Sequence, residues 1–224
     1  MKQLILMAAG LLMTACCCNQ QPTEVEPVAT PVVYEAEIQL PAPDLTRGTT
    51  VGEALANRRS WREYSVEQLS LEELSGVLYA AAGINRPETK RLTAPSALAL
   101  YPIRVYAFFK EGIYRYEAEE HKLVRVKEGN YMAVLGAQPF VAEAALNLVY
   151  VADLSVYADK PIPAEKVLYL CGQDAAGYAE NVNLYTAGTG LRSITRGSAS
   201  AELLAVIGLD AAQYAFALAQ SVGK

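Results

Sequence analysis

The sequence predicts an α+β domain in which antiparallel strands are layered against helices. Three observations predict it: helical and strand periodicities come in blocks without regular strand–helix–strand alternation, three strand patterns near the middle are joined by tight turns, and a long apolar helical stripe precedes the last strand pattern. With 224 residues, 52% of them apolar and 19% charged, the chain holds one domain with a sizeable core plus short appendages. That composition excludes a disordered chain and a multidomain enzyme.

In order along the chain, a short helical pattern covers Val51 to Ala56. Ser70-Leu71-Glu72-Glu73 is a capping box, and Leu71, Leu74, Val77, Leu78 and Ala81 follow at helical spacing until Gly83 offers a stop. Ile103 to Phe109 is β-branched and aromatic, Lys110-Glu111-Gly112 is a turn, Ile113 to Glu117 returns, and Leu123 to Val126 adds a third strand to a small antiparallel meander. Ala145 to Ala152 is an apolar strand of the kind buried on both faces. Val167, Leu168, Cys171, Ala175, Tyr178, Val182 and Tyr185 recur every three or four residues, the stripe of a long, mostly buried helix. A helix from Ala199 to Ile207 stops at Gly208, and Gln213 to Val222 is a final strand.

The amino terminus has a different character. Met1 and Lys2 precede an uncharged apolar run from Leu4 to Met13, too short to span a bilayer, which ends in the small residues Thr14 and Ala15. This is a secretory signal layout over residues 1–15. The consecutive cysteines Cys16, Cys17 and Cys18 lack the geometry of a disulfide framework or a zinc site. A cysteine directly after Met-Thr-Ala resembles a bacterial lipoprotein signal, with Cys16 as the acylated residue; plain export with a cut nearby is the alternative. The expectation is an exported, membrane-anchored lipoprotein facing the periplasm or cell surface. No twin arginine is present, so the chain is expected to cross the membrane unfolded and to acquire any cofactor outside the cytoplasm.

From Asn19 to Thr46 there is no Lys or Arg, and five of the eleven prolines fall there. Residues 16–33 accordingly read as a flexible acidic tether and 34–224 as the domain. Across the whole chain 19 basic residues face 24 acidic ones, a net charge of −5, so no nucleic-acid partner is expected. Cys171 reads as a buried free thiol and His121, beside Glu119, Glu120 and Lys122, as a solvated turn residue.

Three segments could carry chemistry. Arg58-Arg59-Ser60-Trp61-Arg62 crowds three guanidinium groups and a hydroxyl into five residues of an acidic chain, which suits either a phosphate monoester or a solvated charged loop. Pro95, Ser96 and Ala97 lie in a run of small and ring residues that would let backbone approach a flat ligand, or simply lead into a strand. Arg196-Gly197-Ser198 could present a main-chain amide to a heteroatom.

Taken together, the segments ALANRRSWREYS, RLTAPSALALYP, QPFVAEAALNLVYVADLS and DAAGYAENVNLYTAGTGLRSITRG resemble the nitroreductase family of flavoproteins, and within it the branch of thiazole- and oxazole-forming peptide dehydrogenases. The resemblance runs from about Ile38 to Lys224. It implies an FMN-binding fold with an antiparallel sheet flanked by helices, homodimeric, with the flavin at the subunit interface. Arg58, Arg59, Ser60 and Arg62 match the segment that grips the FMN phosphate and ribityl chain, and Pro95, Ser96 and Ala97 match the stretch laid against the ring by the partner subunit. Gln138 falls where members place an amide near the pyrimidine edge, and Arg196 with Gly197 at the turn whose main chain faces N5. Lys224 follows the Val-Gly step after which many members carry phosphate-reaching basic residues. Ala99 departs from the pattern, standing where many members have asparagine.

The implied activity is FMN-dependent transfer of a hydride or two electrons to a small-molecule nitro, quinone or similar acceptor, with NAD(P)H as a possible donor. No catalytic side chain is required, although the Arg196 guanidinium is a candidate for stabilising the reduced ring. Azoline oxidation ranks second, because the Lys-Tyr pair assigned as the base in that branch is absent. A surface lipoprotein that binds flavin without turning it over is the third reading.

Overall fold

The largely apolar strand Leu146–Asp153 is buried at every position, needs cover on both faces, and takes an interior place in a seven-stranded sheet. The computed structural model describes residues 29–224; the signal segment, Cys16 and the spacer through residue 28 lie outside the described residues. In chain order the elements are β1 (Glu37–Gln39), α1 (Val51–Asn57), α2 (Leu71–Ala82), β2 (Ile84–Arg86), β3 (Arg91–Leu92), β4 (Ile103–Phe108), β5 (Gly112–Glu117), β6 (Lys122–Glu128), α3 (Pro139–Glu143), β7 (Leu146–Asp153), α4 (Ala164–Thr189), β8 (Arg192–Arg196), α5 (Leu203–Val206) and β9 (Tyr214–Gly223). The main sheet is antiparallel throughout, in the order β1-β6-β5-β4-β7-β9-β8, and β2 and β3 form a separate hairpin.

Alternation along the strands divides the core in two. Val105, Ala107, Leu146, Leu148 and Tyr150 face α2 and α4, while Tyr106, Phe108, Val149 and Val151 meet Leu135, Phe140 and Leu203 on the other side. Both helices that open the domain are set by capping boxes, Thr50 with Glu53 and Ser70 with Glu73, each satisfying backbone donors at the first turn. α4 runs 26 residues and stops at Gly190, whose left-handed backbone (φ 79°) ends the helix without a Cβ penalty.

The α+β class and the flanked antiparallel sheet are as expected, with several corrections. The meander is one half of the large sheet, extended at β6 by β1. β8 carries no strand pattern in the sequence, because its alternate residues Ser193 and Thr195 are polar and face Asn183 on α4. Asn183 Oδ1 also accepts from Gln220 Nε2 at 2.7 Å, and Gln220 Oε1 accepts from the Tyr150 hydroxyl at 2.7 Å. The helix expected over Ala199–Ile207 shrinks to α5, since the Ser200 amide is drawn to the Val134 carbonyl at 2.8 Å. Thr30 and Pro31, placed in the tether on composition, lie along the start of α2: the Leu71 amide donates to the Thr30 carbonyl at 2.8 Å. Among the described residues no helix is long and apolar enough to cross a membrane, and no cluster could hold a metal ion.

Candidate functional site

α1 ends at Arg58, where the backbone leaves the helical region (φ −56°, ψ 125°) and carries the chain in extended form past the open edge of β8. Ser60 bridges Ser193 in parallel, and the Trp61 amide donates to the Ser193 carbonyl at 3.0 Å. Two guanidinium groups lie over the Trp61 ring, Arg59 Cζ 4.9 Å and Arg192 Cζ 4.7 Å from its centroid. Arg192 is further fixed by an Nη1 bond of 2.9 Å to the Glu63 carbonyl. Close by, the Tyr64 ring covers Gly223 where a Cβ would lie 2.7 Å from it. Burial pushes the Tyr64 phenol up, and the positive charges of Arg196, Arg192 and Arg62 oppose that rise.

Arg58, Arg59 and Arg62 are exposed, and none of the four groups Arg58, Arg59, Arg62 and Arg192 is paired with a carboxylate among the described residues. Guanidinium groups free of carboxylate partners, in a chain of net charge −5, have the chemistry to bind an anion. Lys224 does not join them: its ammonium lies 3.2 Å from Glu73 and 3.8 Å from Glu67.

Arg196 corrects another expectation. Its side chain is 6% exposed; Nη1 donates to the Leu135 carbonyl at 2.6 Å and Nη2 to Asn147 Oδ1 at 3.1 Å, while Nε has no partner. Burial pushes its pKa down. The guanidinium is thus a core group, Arg196 is paired in the sheet opposite Ala219, and at this turn Gly197 is the exposed residue. Gln138, the residue before α3, is exposed and its amide caps nothing.

Pro95, Ser96 and Ala97 lie against α4. The Asp174 carboxylate accepts from Ser96 Oγ at 2.6 Å and from the Ala97 amide at 3.0 Å, and a Cβ on Gly177 would sit 3.8 Å from the Pro95 ring. Directly after them Leu98, Ala99 and Tyr101 adopt left-handed backbone, φ 55°, 54° and 49°. Each costs about 1–2 kcal/mol for a residue with a Cβ, a strain that gathers at functional sites.

The arginine cluster and this loop sit toward opposite ends of α4. Asp174 holds the loop, whereas Thr186 meets Ser193 beside Ser60, twelve residues or about 18 Å of helix further on. One cavity of about 640 Å³ is lined by Tyr101, Arg104, Arg115 and Tyr214, and another of about 460 Å³ by Leu40, Pro43, Tyr79 and His121. Trp61, Arg192 and Asp174 escaped the sequence reading as site residues. A carboxylate inside the apolar stripe between Cys171 and Ala175 was the available signal for Asp174.

The sequence matches the nitroreductase family over residues 55–224. The chain belongs to that family. A curated protein of Methanocaldococcus jannaschii named as a nitroreductase is 32% identical, aligned over 72% of this chain and 84% of its own. A nitroreductase structure from Ralstonia eutropha superposes with a TM-score of 0.79 at 32% identity, covering 89% of this chain and 95% of that one. A nitroreductase from Desulfovibrio desulfuricans, solved in complex with FMN, shares the fold at 21% identity and a TM-score of 0.55, covering 78% and 86%. These matches bear out the nitroreductase-like fold and leave the finer branch to inference.

Proposed function

We propose that this nitroreductase-family chain is an FMN-dependent oxidoreductase that acts on a nitro, quinone or similar small acceptor, with NAD(P)H as donor. The observation that carries the reading is the set of four unpaired guanidinium groups beside Ser60. Arg58, Arg59 and Arg62, with Arg192 locked on Trp61, would bind the FMN phosphate by charge-assisted hydrogen bonds, and the Ser60 hydroxyl would add a contact. The small residues Pro95, Ser96 and Ala97 admit a flat ring closely, Gln138 has a free amide for a polar ring edge, and the exposed Gly197 after Arg196 leaves room for a ring edge to approach the main chain. The chemistry supplied by a bound FMN is two-electron transfer between donor and acceptor.

The two halves of the site sit apart on α4, which favours a homodimer in which the loop of one subunit covers the flavin gripped by the other. Azoline oxidation ranks below acceptor reduction, since no Lys-Tyr dipeptide is available as its base. We place the protein outside the cytoplasm on a lipid anchor at Cys16. The test is spectroscopic. Purified mature protein should carry a flavin band that bleaches with NADH or NADPH and recovers with a nitroaromatic; no bound flavin after FMN addition overturns the reading.

A further inference from the structure

The strained segment after Ser96 gains little from its own side chains. Leu98, left-handed, is 67% exposed, and Ala99 and Tyr101 are not buried. A backbone shape that costs energy and buries little must be held from outside, and its holder is Asp174 on α4.

Asp174 is 6% exposed and lies among core residues of the helix stripe, Cys171, Ala175 and Tyr178. Among the described residues no cation pairs with it; the hydrogen bonds recorded to its carboxylate come from the loop. Oδ1 takes the Ala97 amide and Oδ2 the Ser96 hydroxyl. That hydroxyl has one hydrogen, given to Asp174 at 2.6 Å, so its lone pair is what accepts the Tyr101 amide at 2.8 Å. A chain from carboxylate to hydroxyl to amide therefore closes the six residues from 96 to 101. The Ala99 and Leu100 amides complete the turn on the Ser96 and Ala97 carbonyls, at 3.0 and 3.2 Å. A buried carboxylate without a cation is costly, and here loop donors offset its desolvation.

We propose that Asp174 is the positioning residue of the flavin site, holding the Pro95–Tyr101 segment in the left-handed form that one subunit presents to its partner's flavin. This rests on the functional reading above. Asp174 itself, at the base of the loop, acts through Ser96 and Ala97 rather than by touching the ring.

The experiment is titration of the flavin-free full chain with FMN, followed by flavin fluorescence, for the unaltered protein, Asp174→Asn, Ser96→Ala, and Asp174→Asn combined with Leu98→Gly and Ala99→Gly. Losing the charge-assisted bond should weaken FMN binding about tenfold in each single variant, with circular dichroism unchanged. The glycine background should recover most of that loss, because glycine adopts positive φ without a clamp. A merely stabilising role for Asp174 would not be rescued by glycines in a loop it no longer holds. Unaltered protein that binds FMN while both single variants bind equally well overturns the clamp and leaves the functional reading standing. Single variants weakened but unrecovered by glycine overturn it as well. Unaltered protein that binds no FMN overturns the functional reading itself, and the clamp with it.

Discussion

At His121 a left-handed turn residue (φ 49°) has its ring fixed between two hydroxyls rather than solvated as composition suggested. Ser75 Oγ donates its single hydrogen to the Pro41 carbonyl at 2.7 Å, so Nε2–H donates to Ser75 at 2.8 Å, and Nδ1 accepts from Tyr116 at 2.7 Å. The ring is thereby neutral, and burial holds its pKa below the ordinary 6.5. An unfolded histidine takes up a proton near 6.5 that the folded one resists. The contribution is therefore complete above that pH and lost as pH falls below it. In His121→Gln the melting temperature should fall less steeply between about pH 6.5 and 5 than in the parent, read by thermal scans across that range. Arginine substitutions should act differently. Arg58→Ala with Arg62→Ala should weaken FMN binding about tenfold or more while the melting temperature without FMN stays nearly constant, because both side chains are exposed; calorimetric titration and a thermal scan separate the two.

Between elements, the contact of α2 with α4 depends on Gly76, where a Cβ would lie 1.9 Å from the Tyr185 hydroxyl. Gly76→Ala should destabilise the fold by about 1–3 kcal/mol despite alanine's better helix propensity, measured by urea unfolding. Such crossings explain what a sequence does and does not disclose. α2 was legible because capping and apolar spacing coincide, and β7 because both of its faces are apolar. β8 hid because Ser193 and Thr195, on alternate positions, are polar and find their side-chain partners on α4, seven to twelve positions back in the chain. The site shows the same division. The arginine run is local and visible, whereas Arg192 joins it through Trp61, and Asp174 reaches Ser96 across 78 positions.

For the whole molecule, several large apolar side chains are left without cover: Val51 and Leu55 on α1, Leu98 on the strained loop, and Leu168 and Tyr169 on α4. Their exposure fits a protein whose flavin half-sites meet only on dimerisation. FMN-loaded protein should sediment as a dimer, and a flavin-loaded monomer would contradict the shared site. For the amino-terminal segment, metabolic labelling with a fatty acid should vanish in Cys16→Ser, and unchanged labelling would assign the anchor elsewhere. Trp61 is the chain's single tryptophan, and the Arg59 and Arg192 guanidinium groups lie over its ring. The protein therefore has a built-in optical probe: its ultraviolet emission reports on the guanidinium pair alone, so an anion arriving there can be followed in unlabelled protein.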